Sequence, residues 1–471
     1  MTLLSPERPQ SDPRIRFLRA VLRENCRDAV NTGSPRPLTV QQAALLSDIS
    51  RPSVNNFYAP LVLHGKAIEG LVQLTSDAGY VIGVDLRETH PVRVAVRDAH
   101  GRNLIKDPLL VGRRPDAAVQ EDDVWSAETK AVRPGASELL ELVRTGIEQC
   151  TRDLDKSDLL GIGISLPGPV RDGFVVGPNA NPWDLVPADE SLVRILADTL
   201  PAVEGSLSER TRRLVVTLSD TCASAVTEHL WGNPDAAVPN SVIFKWSFDL
   251  CAALILNGEL YSGSGGRAGT VGHLAVANAK ANFPCEVCGK RDCLHAIASL
   301  RYLSMVATGE DLPMPSAVRI QEALDAGHAP TIKALKVAAK ALGMAASSYI
   351  AAVDPGAVVL GGAIGGRVFD AVQVDFMEQF ASSLPRREKR ALTVVGATRT
   401  RNTAVLGAAA CALLKLGPHR LKPFAMPESR AKPEQASNGQ TSNGHSRNGF
   451  SGRPLPAPAG FVGATGEAGS T

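Results

Sequence analysis

The stretch GHLAVANAKANFPCEVCGKRDCLH, residues 272–295, gathers three of the chain's eight cysteines within nine positions. Cys285, Cys288 and Cys293 stand at C-x2-C-x4-C spacing, and thiolates so spaced can converge on one tetrahedral ion. The GKRD between the last two is short and led by glycine, as a metal knuckle requires. A fourth ligand would close the site, and His273 is the candidate. A Zn2+ ion held by His273, Cys285, Cys288 and Cys293 would pin the loop 274–292, which is too polar to be held by burial. Four protein ligands leave no open coordination position, so such a zinc would be structural rather than catalytic. The alternative is three reduced surface thiols, or a redox pair. Cys26, Cys150, Cys222, Cys251 and Cys411 are scattered in apolar or helical surroundings, where free cysteine acts as a small buried hydrophobe.

On either side of this stretch, strands alternate with helices. YVIGVDL and PVRVAVRDAHGR read as a hairpin. DLLGIGISLPGPV is a strand entering a turn, and LVVTLSD is a strand ending at Asp220, before the helix TCASAVTEHLWG. SVIFKWSFDLCAALILNGEL is a strand pair. A long alanine-rich helix, TIKALKVAAKALGMAASSYIAAV, precedes the strand and glycine turn GAVVLGGAIGG, and NTAVLGAAACALLKL is a last helix. The alternation predicts an α/β architecture. A chain of 471 residues, 44% of them hydrophobic, can bury a sizeable core. Its net charge of +2 excludes a polycation, so any nucleic-acid surface must be local. No apolar run approaches the roughly 18 residues needed to span a bilayer, so no membrane partner is expected. The N-terminal MTLLSPERPQSDPR lacks the apolar core of a signal peptide, which predicts a cytoplasmic protein. Residues 420–471, rich in Pro, Gly, Ser and Asn, read as a disordered tail.

Residues 1–75 are different in kind. Nine basic residues against six acidic ones leave a local excess of three positive charges. SDPRIRFLRAVLREN starts with cap candidates and Pro13, then sets Phe17, Leu18, Val21 and Leu22 at helical spacing. Thr39 can cap a second helix, Ser47-Asp48-Ile49 forms a tight turn, and Ser50 can cap a third helix with Pro52 in its first turn. Pro60 suggests that this helix ends early or kinks. His64-Gly65 stops it, and KAIEGLVQLTSDAGYV reads as a two-stranded ribbon. This is the order of a winged helix-turn-helix, spanning 1–78. In the third helix Arg51 suits a phosphate or guanine, and Ser53, Asn55 and Asn56 can bond base edges. Tyr58 is a candidate for the DNA backbone, as are Lys66, Arg14 and Arg16 for phosphates. The bland alternative is a solvated helix on an interaction module. One winged domain covers few base pairs, so a double-stranded operator with two-fold symmetry and a homodimer or homotetramer are expected.

From about residue 80 to 416 the chain resembles the ROK family of repressors, open reading frames and sugar kinases. The resemblance rests on GIGISLPGPVRDG, PNANPWDLVP, LSDTCASAVTEHLWG, NGELYSGSGGRAGTVGHLAV, CEVCGKRDCLH and VVLGGAIGG, in that order. It implies an actin-like (ribonuclease-H-like) two-lobed ATPase/sugar-kinase fold behind the winged head. The lobes would be 79–225 plus 400–416, and 226–399 with the zinc knuckle. It also implies a sugar loop at Asn179, the family's catalytic aspartate at Asp220, and sugar-contacting positions at Thr270, His273 and His295. A winged head ahead of this fold is the layout of the family's repressors, which answer to a sugar or sugar phosphate.

The departures from the family pattern decide between its branches. Kinases carry a glycine-rich first phosphate loop, because backbone amides must approach phosphate closely. Here DLRETH keeps Asp85 but puts Arg87 and Glu88 in place of the glycines. The second loop corresponds to SFDLC, 247–251, which has no glycine and adds Asp249. The Gly361-Gly362 turn survives. Phosphoryl transfer depends on positioning and charge neutralisation, so kinase activity is not expected. Thr270 and His295 replace glutamates that hold sugar hydroxyls, and Asp220 at a helix start has a purely electrostatic alternative. The knuckle is one residue longer than the usual C-x-C, and Asp292 replaces a glycine. The expected protein is a transcriptional regulator with a structural zinc and a kinase-derived sensor. An active sugar kinase and a ligand-independent scaffold are the alternatives.

Overall fold

A computed structural model describes residues 12–63, 66–69, 72–86, 92–127, 136–171, 174–175, 214–277, 280–281, 283–312, 315–383, 392–399 and 401–420. Asn179, Arg87, Glu88, His64-Gly65 and all of the expected tail from 421 onward lie outside the described residues. All of the described chain belongs to one compact unit, 1–425.

The head opens with α1 (Pro13–Thr32), which Asp12 caps by accepting from the Arg14 amide at 2.9 Å. α2 (Val40–Ser47) starts in a capping box, Thr39 with Gln42, and stops where Asp48 turns left-handed. α3 (Arg51–Leu63) follows, with Ser50 Oγ accepting from the Ser53 amide. The helix continues three residues past Pro60, so of the two expectations, an early end or a kink, the early end does not occur. Its cost is the one hydrogen bond that the proline nitrogen cannot donate to the preceding turn. Among the described residues the expected ribbon shows the isolated bridges Ala67↔Leu74 and Leu38↔Val72. Tyr58 fastens it. Its hydroxyl donates to the carbonyls of Ile68 and Gln73 and accepts from the Gln73 amide, all within 2.8 Å.

The core holds two five-stranded sheets. The first has β1 (Tyr80–Asp85), β2 (Val92–Asp98), β3 (Trp125–Ala127), β4 (Leu159–Leu166) and, after the short pair β5 (Val170–Arg171) and β6 (Phe174–Val175), β7 (Val215–Ser219). Its order is β3-β2-β1-β4-β7, with β1, β4 and β7 parallel. α4 (Ala136–Thr151) covers one face, where Ile82, Val84, Leu139 and Val143 are fully buried. Next come α5 (Asp220–Trp231), β8 (Ser241–Trp246), β9 (Leu250–Leu256) and β10 (Glu259–Tyr261). The short helices α6 (Leu294–Ala298), α7 (Leu300–Thr308) and α8 (Ala317–Asp325) lead to α9 (Ala329–Val353). β11 (Ala357–Gly361), α10 (Gly362–Ser383), β12 (Thr393–Gly396) and α11 (Thr403–Arg420) complete the chain. The second sheet runs β10-β9-β8-β11-β12. The glycine stretch after β11 is helix from Gly362, not an open turn.

Between the sheets, α5 and α11 pack with Leu218, Ala223, Ile243, Ala253, Val359, Ala404 and Ala408. These small residues let helix and strand backbones approach closely. Two lobes sharing an actin-like α/β core are thus present, with the helical head packed on them.

α1 ties the head to the core. Phe17 faces the head, with ring centroids 6.2 Å from Phe57 and 6.3 Å from Tyr58. Leu22 and Cys26 face the core, and Trp231 Nε1 donates to the Cys26 carbonyl at 3.0 Å. Asn25, fully buried, joins α1 to the carbonyl of Arg36 and the amide of Leu74. α1 also touches the second sheet, where Arg19 pairs with Glu259 at 2.6 Å. Each fully buried large apolar side chain contributes about 1.5–3 kcal/mol, whereas a part-exposed ion pair contributes about 1 kcal/mol at most. The packing on α5 and α11 is therefore the strong grip and the contact with β10 the adjustable one. A double-mutant cycle on Arg19→Ala and Glu259→Ala, read by urea unfolding, should give a coupling of about 1 kcal/mol or less.

Candidate functional site

The knuckle brings its four predicted ligands together. One ligand atom each from His273, Cys285, Cys288 and Cys293 lies within 4.8 Å of all the others. Cys285 Sγ is 3.7 Å from His273 Nδ1, and Cys288 Sγ is 3.6 Å from Cys293 Sγ. A tetrahedral ion with metal–sulfur bonds of about 2.3 Å has edges of about 3.8 Å, so these separations fit a bound metal ion. They are far too long for a disulfide, and all eight cysteines are free. The local chain explains the convergence. The amide of Gly289 donates to the Cys285 carbonyl and that of Cys285 to the Lys290 carbonyl, both at 2.8 Å. Cys293 pairs with Ala275 and caps α6. Burial acts to raise the Cys288 thiol, but hydrogen bonds from the Lys290 amide and the other two cysteines outweigh it and lower the pKa.

A second cluster lies where β7 and β8 end, the usual place for a ligand beyond the carboxyl ends of strands. Asp220 is the first residue of α5, with Ser219 as the cap. Its Oδ1 accepts from Thr221 Oγ1 at 3.3 Å, and its Oδ2 is paired with the ammonium of Lys245 on β8. The pair bridges the two sheets, with side chains only 19% and 13% exposed. Cys251 lies close by. Burial pushes its thiol up to about 12, with the charges of Asp249 and Asp220 adding to the rise and Lys245 opposing it. Asp249 Oδ1 in turn stands 3.7 Å from His295 Nε2.

The SFDLC stretch, 247–251, folds back on itself and onto the start of α10. Ser247 Oγ accepts from the Ala363 amide at 2.8 Å, and the Ser247 amide donates to the Asp249 carbonyl at 3.3 Å. A helix N-terminus offers free amides to an anion. At α10 one of them is already taken by Ser247. Asp85 is fully buried and accepts from Ser165 Oγ at 2.9 Å, with Arg93 3.7 Å away.

Among the other predicted residues, Thr270 is exposed and donates to the Arg267 carbonyl at 2.8 Å. His273 belongs to the metal cluster and cannot also face a sugar through the same nitrogen. His295 Nδ1 is 3.6 Å from Cys285 Sγ, so its ring sits between the knuckle and Asp249. On the head, Arg51, Asn55 and Asn56 are exposed and make no hydrogen bond or ion pair among the described residues, and Ser53 is half-buried with its hydroxyl 2.8 Å from Ser50 Oγ. Four expected backbone contacts are otherwise engaged. Tyr58 is only 8% exposed and holds the ribbon. Lys66 donates to Asp158 at 3.1 Å and to the Asp77 carbonyl at 3.2 Å. Arg14 lies over the Phe57 ring, and Arg16 donates to the Asp48 carbonyl. The sequence reading missed Lys245 and Ser247. A lysine within the apolar strand SVIFKW was the one available signal.

Comparison with known proteins agrees with this geometry. The ROK family model matches residues 115–415. A glucokinase of Halalkalibacterium halodurans is 25% identical over 248 residues, 49% of this chain and 69% of the relative. A xylose repressor of Caldicellulosiruptor bescii is 22% identical over 346 residues, 67% of this chain and 77% of the relative. Among solved structures, a ROK family transcriptional regulator described as a homolog of the E. coli MLC protein superposes with a TM-score of 0.62. It is 18% identical and covers 86% of this chain and 98% of its own. The ROK hexokinase of Thermus thermophilus gives 0.53 at 23% identity, covering 72% and 99%. No described helix is long and apolar enough to cross a membrane. With a family match over well more than half of its length, the chain belongs to the ROK family.

Proposed function

We propose that this protein is a cytoplasmic DNA-binding transcriptional regulator, a repressor, whose kinase-derived core senses a sugar or sugar phosphate and does not phosphorylate it. The observation that carries this reading is the outer face of α3, where Arg51, Asn55 and Asn56 are exposed and uncommitted. Asparagine suits the paired donor and acceptor of adenine, and arginine suits guanine or phosphate. The regulator structure matches 86% of this chain against 72% for the hexokinase, which supports it too. So do the pairing of Asp220 with Lys245 and the capping of α10 by Ser247, since a kinase needs a free carboxylate and an open phosphate cradle.

In this reading residues 1–78 are the head, 79–225 plus 400–416 the first lobe and 226–399 the second. The knuckle holds a structural zinc, and a homodimer or homotetramer grips a two-fold symmetric operator. α1 relays the ligand's effect, being packed on α5 and α11, the helices between the sheets, and paired with β10 through Arg19 and Glu259. Relay requires that the ligand bind two arrangements of the lobes unequally.

Selection of genomic fragments by the purified chain tests the reading. A palindromic sequence should be enriched. Asn55→Ala and Asn56→Ala should each weaken binding to it by about 10–100-fold, the equivalent of about 1–3 kcal/mol per base contact. Absence of an enriched sequence would sink the regulator. The kinase alternative, favoured by the glucokinase match, predicts hexose-dependent ADP release that Asp220→Asn abolishes.

A further inference from the structure

The pair that bridges the sheets carries a statement about what the cleft can bind. Asp220 has both oxygens engaged, one by Thr221 and one by Lys245. A neutral hexose would have to share this carboxylate with an ammonium or displace it. Displacement leaves a mostly buried ammonium without a counter-ion, and removing one partner of such a pair is strongly unfavourable. Sharing replaces charge-assisted hydrogen bonds by weaker ones. A ligand that brings its own anion avoids both losses. The anion takes Lys245, and hydroxyl groups then donate to the Asp220 oxygen that Lys245 held, a carboxylate being able only to accept.

We propose that the cleft selects an acidic sugar, a polyhydroxylated molecule carrying a carboxylate or a phosphate, and that Lys245 is the specificity-determining residue. This rests on the reading of the core as a sugar sensor, and it names the ligand class. It also gives the ligand leverage on the fold, because occupying Lys245 and Asp220 separately breaks a contact between the two sheets.

The test is titration of the full chain with D-glucose, D-gluconate, D-glucuronate, glucose 6-phosphate and inorganic phosphate, by calorimetry and thermal shift. At least one acidic sugar should bind ten-fold or more tighter than glucose, and the carboxylate and phosphate arms tell which anion is preferred. Lys245→Met should lose that preference by ten-fold or more, while Lys245→Arg, which keeps the charge, should retain most of it. Circular dichroism and the melting profile of both variants establish that they fold. The proposal is overturned if glucose binds as well as the acidic sugars or if no compound binds. It is equally overturned if inorganic phosphate alone matches them, or if folded Lys245→Met keeps the preference. Operator binding is measured separately. A chain that binds an acidic sugar but no DNA leaves this inference standing and defeats the regulator, and the converse defeats the inference alone.

Discussion

Cys293→Ser should remove the bound metal and loosen the whole segment 274–292. Metal analysis of the purified wild-type chain should give about one zinc per chain, and the variant close to none. Serine can still cap α6 as Cys293 does, since its oxygen also accepts from the Ala296 amide. The substitution therefore separates the metal from the cap. A structural zinc is worth about 10–16 kcal/mol in small metal-binding peptides, so loss of one thiolate outweighs any surface contact in the protein. Limited proteolysis should cut the variant within the loop, where Lys280, Lys290 and Arg291 offer sites, and spare the wild type. A chelator should reproduce the effect and a reductant should not. The reverse pattern, sensitivity to reductant with no metal present, would mean that the thiols serve redox chemistry and that the zinc assignment is wrong.

The knuckle was legible in the sequence because its ligands are set by local spacing and one nearby histidine. The same holds for Thr39 with Gln42, a cap signature written within four residues. Asp220 could be placed at a helix start from the strand before it. What the sequence could not show is pairing across the fold. Lys245 meets Asp220 from another sheet, and Ser247 caps α10 through the amide of Ala363, 116 residues later. Nothing local marks either partner. On α3 the helical period left the facing ambiguous by one step, and Tyr58 proved to be on the inner side while Asn55 and Asn56 are outside. Lys66 is a phosphate candidate by its charge and its place at the start of the ribbon, but its ammonium is paired with Asp158. The head is basic in composition, yet much of that charge is spent within the molecule, on Asp48, Asp158 and Glu259. DNA affinity should accordingly rest on the few exposed groups of α3 more than on the net charge of residues 1–75.

Gly407→Ala should be the most damaging single methyl addition to the core. A Cβ at this position would lie 1.7 Å from the Ala223 carbonyl oxygen and 2.8 Å from Thr227 Oγ1. The first of these is backbone, so no rotamer change relieves the clash and α5 and α11 must separate. The crossing has no slack elsewhere. Thr227 Oγ1 donates to the Thr403 carbonyl at 2.6 Å, and Thr403 and Ser224 hydroxyls are 3.0 Å apart. On its other side α11 is pressed against β4, where a Cβ on Gly163 would lie 1.9 Å from the Ala408 carbonyl. Overpacking of this kind costs about 3 kcal/mol or more. Gly265→Ala is the control, since a Cβ there meets nothing within 4 Å, and it should change stability by no more than about 0.5 kcal/mol. Urea unfolding of the three proteins measures both. The functional consequence follows from α1, which packs on α11 and α5 and carries the head. If Gly407→Ala folds at all, its α11 is displaced, and operator binding should fall although no residue of α3 has changed. Equal operator affinity in a folded Gly407→Ala protein would show that the head does not take its position from the helices between the sheets, and the relay through α1 would have to be abandoned.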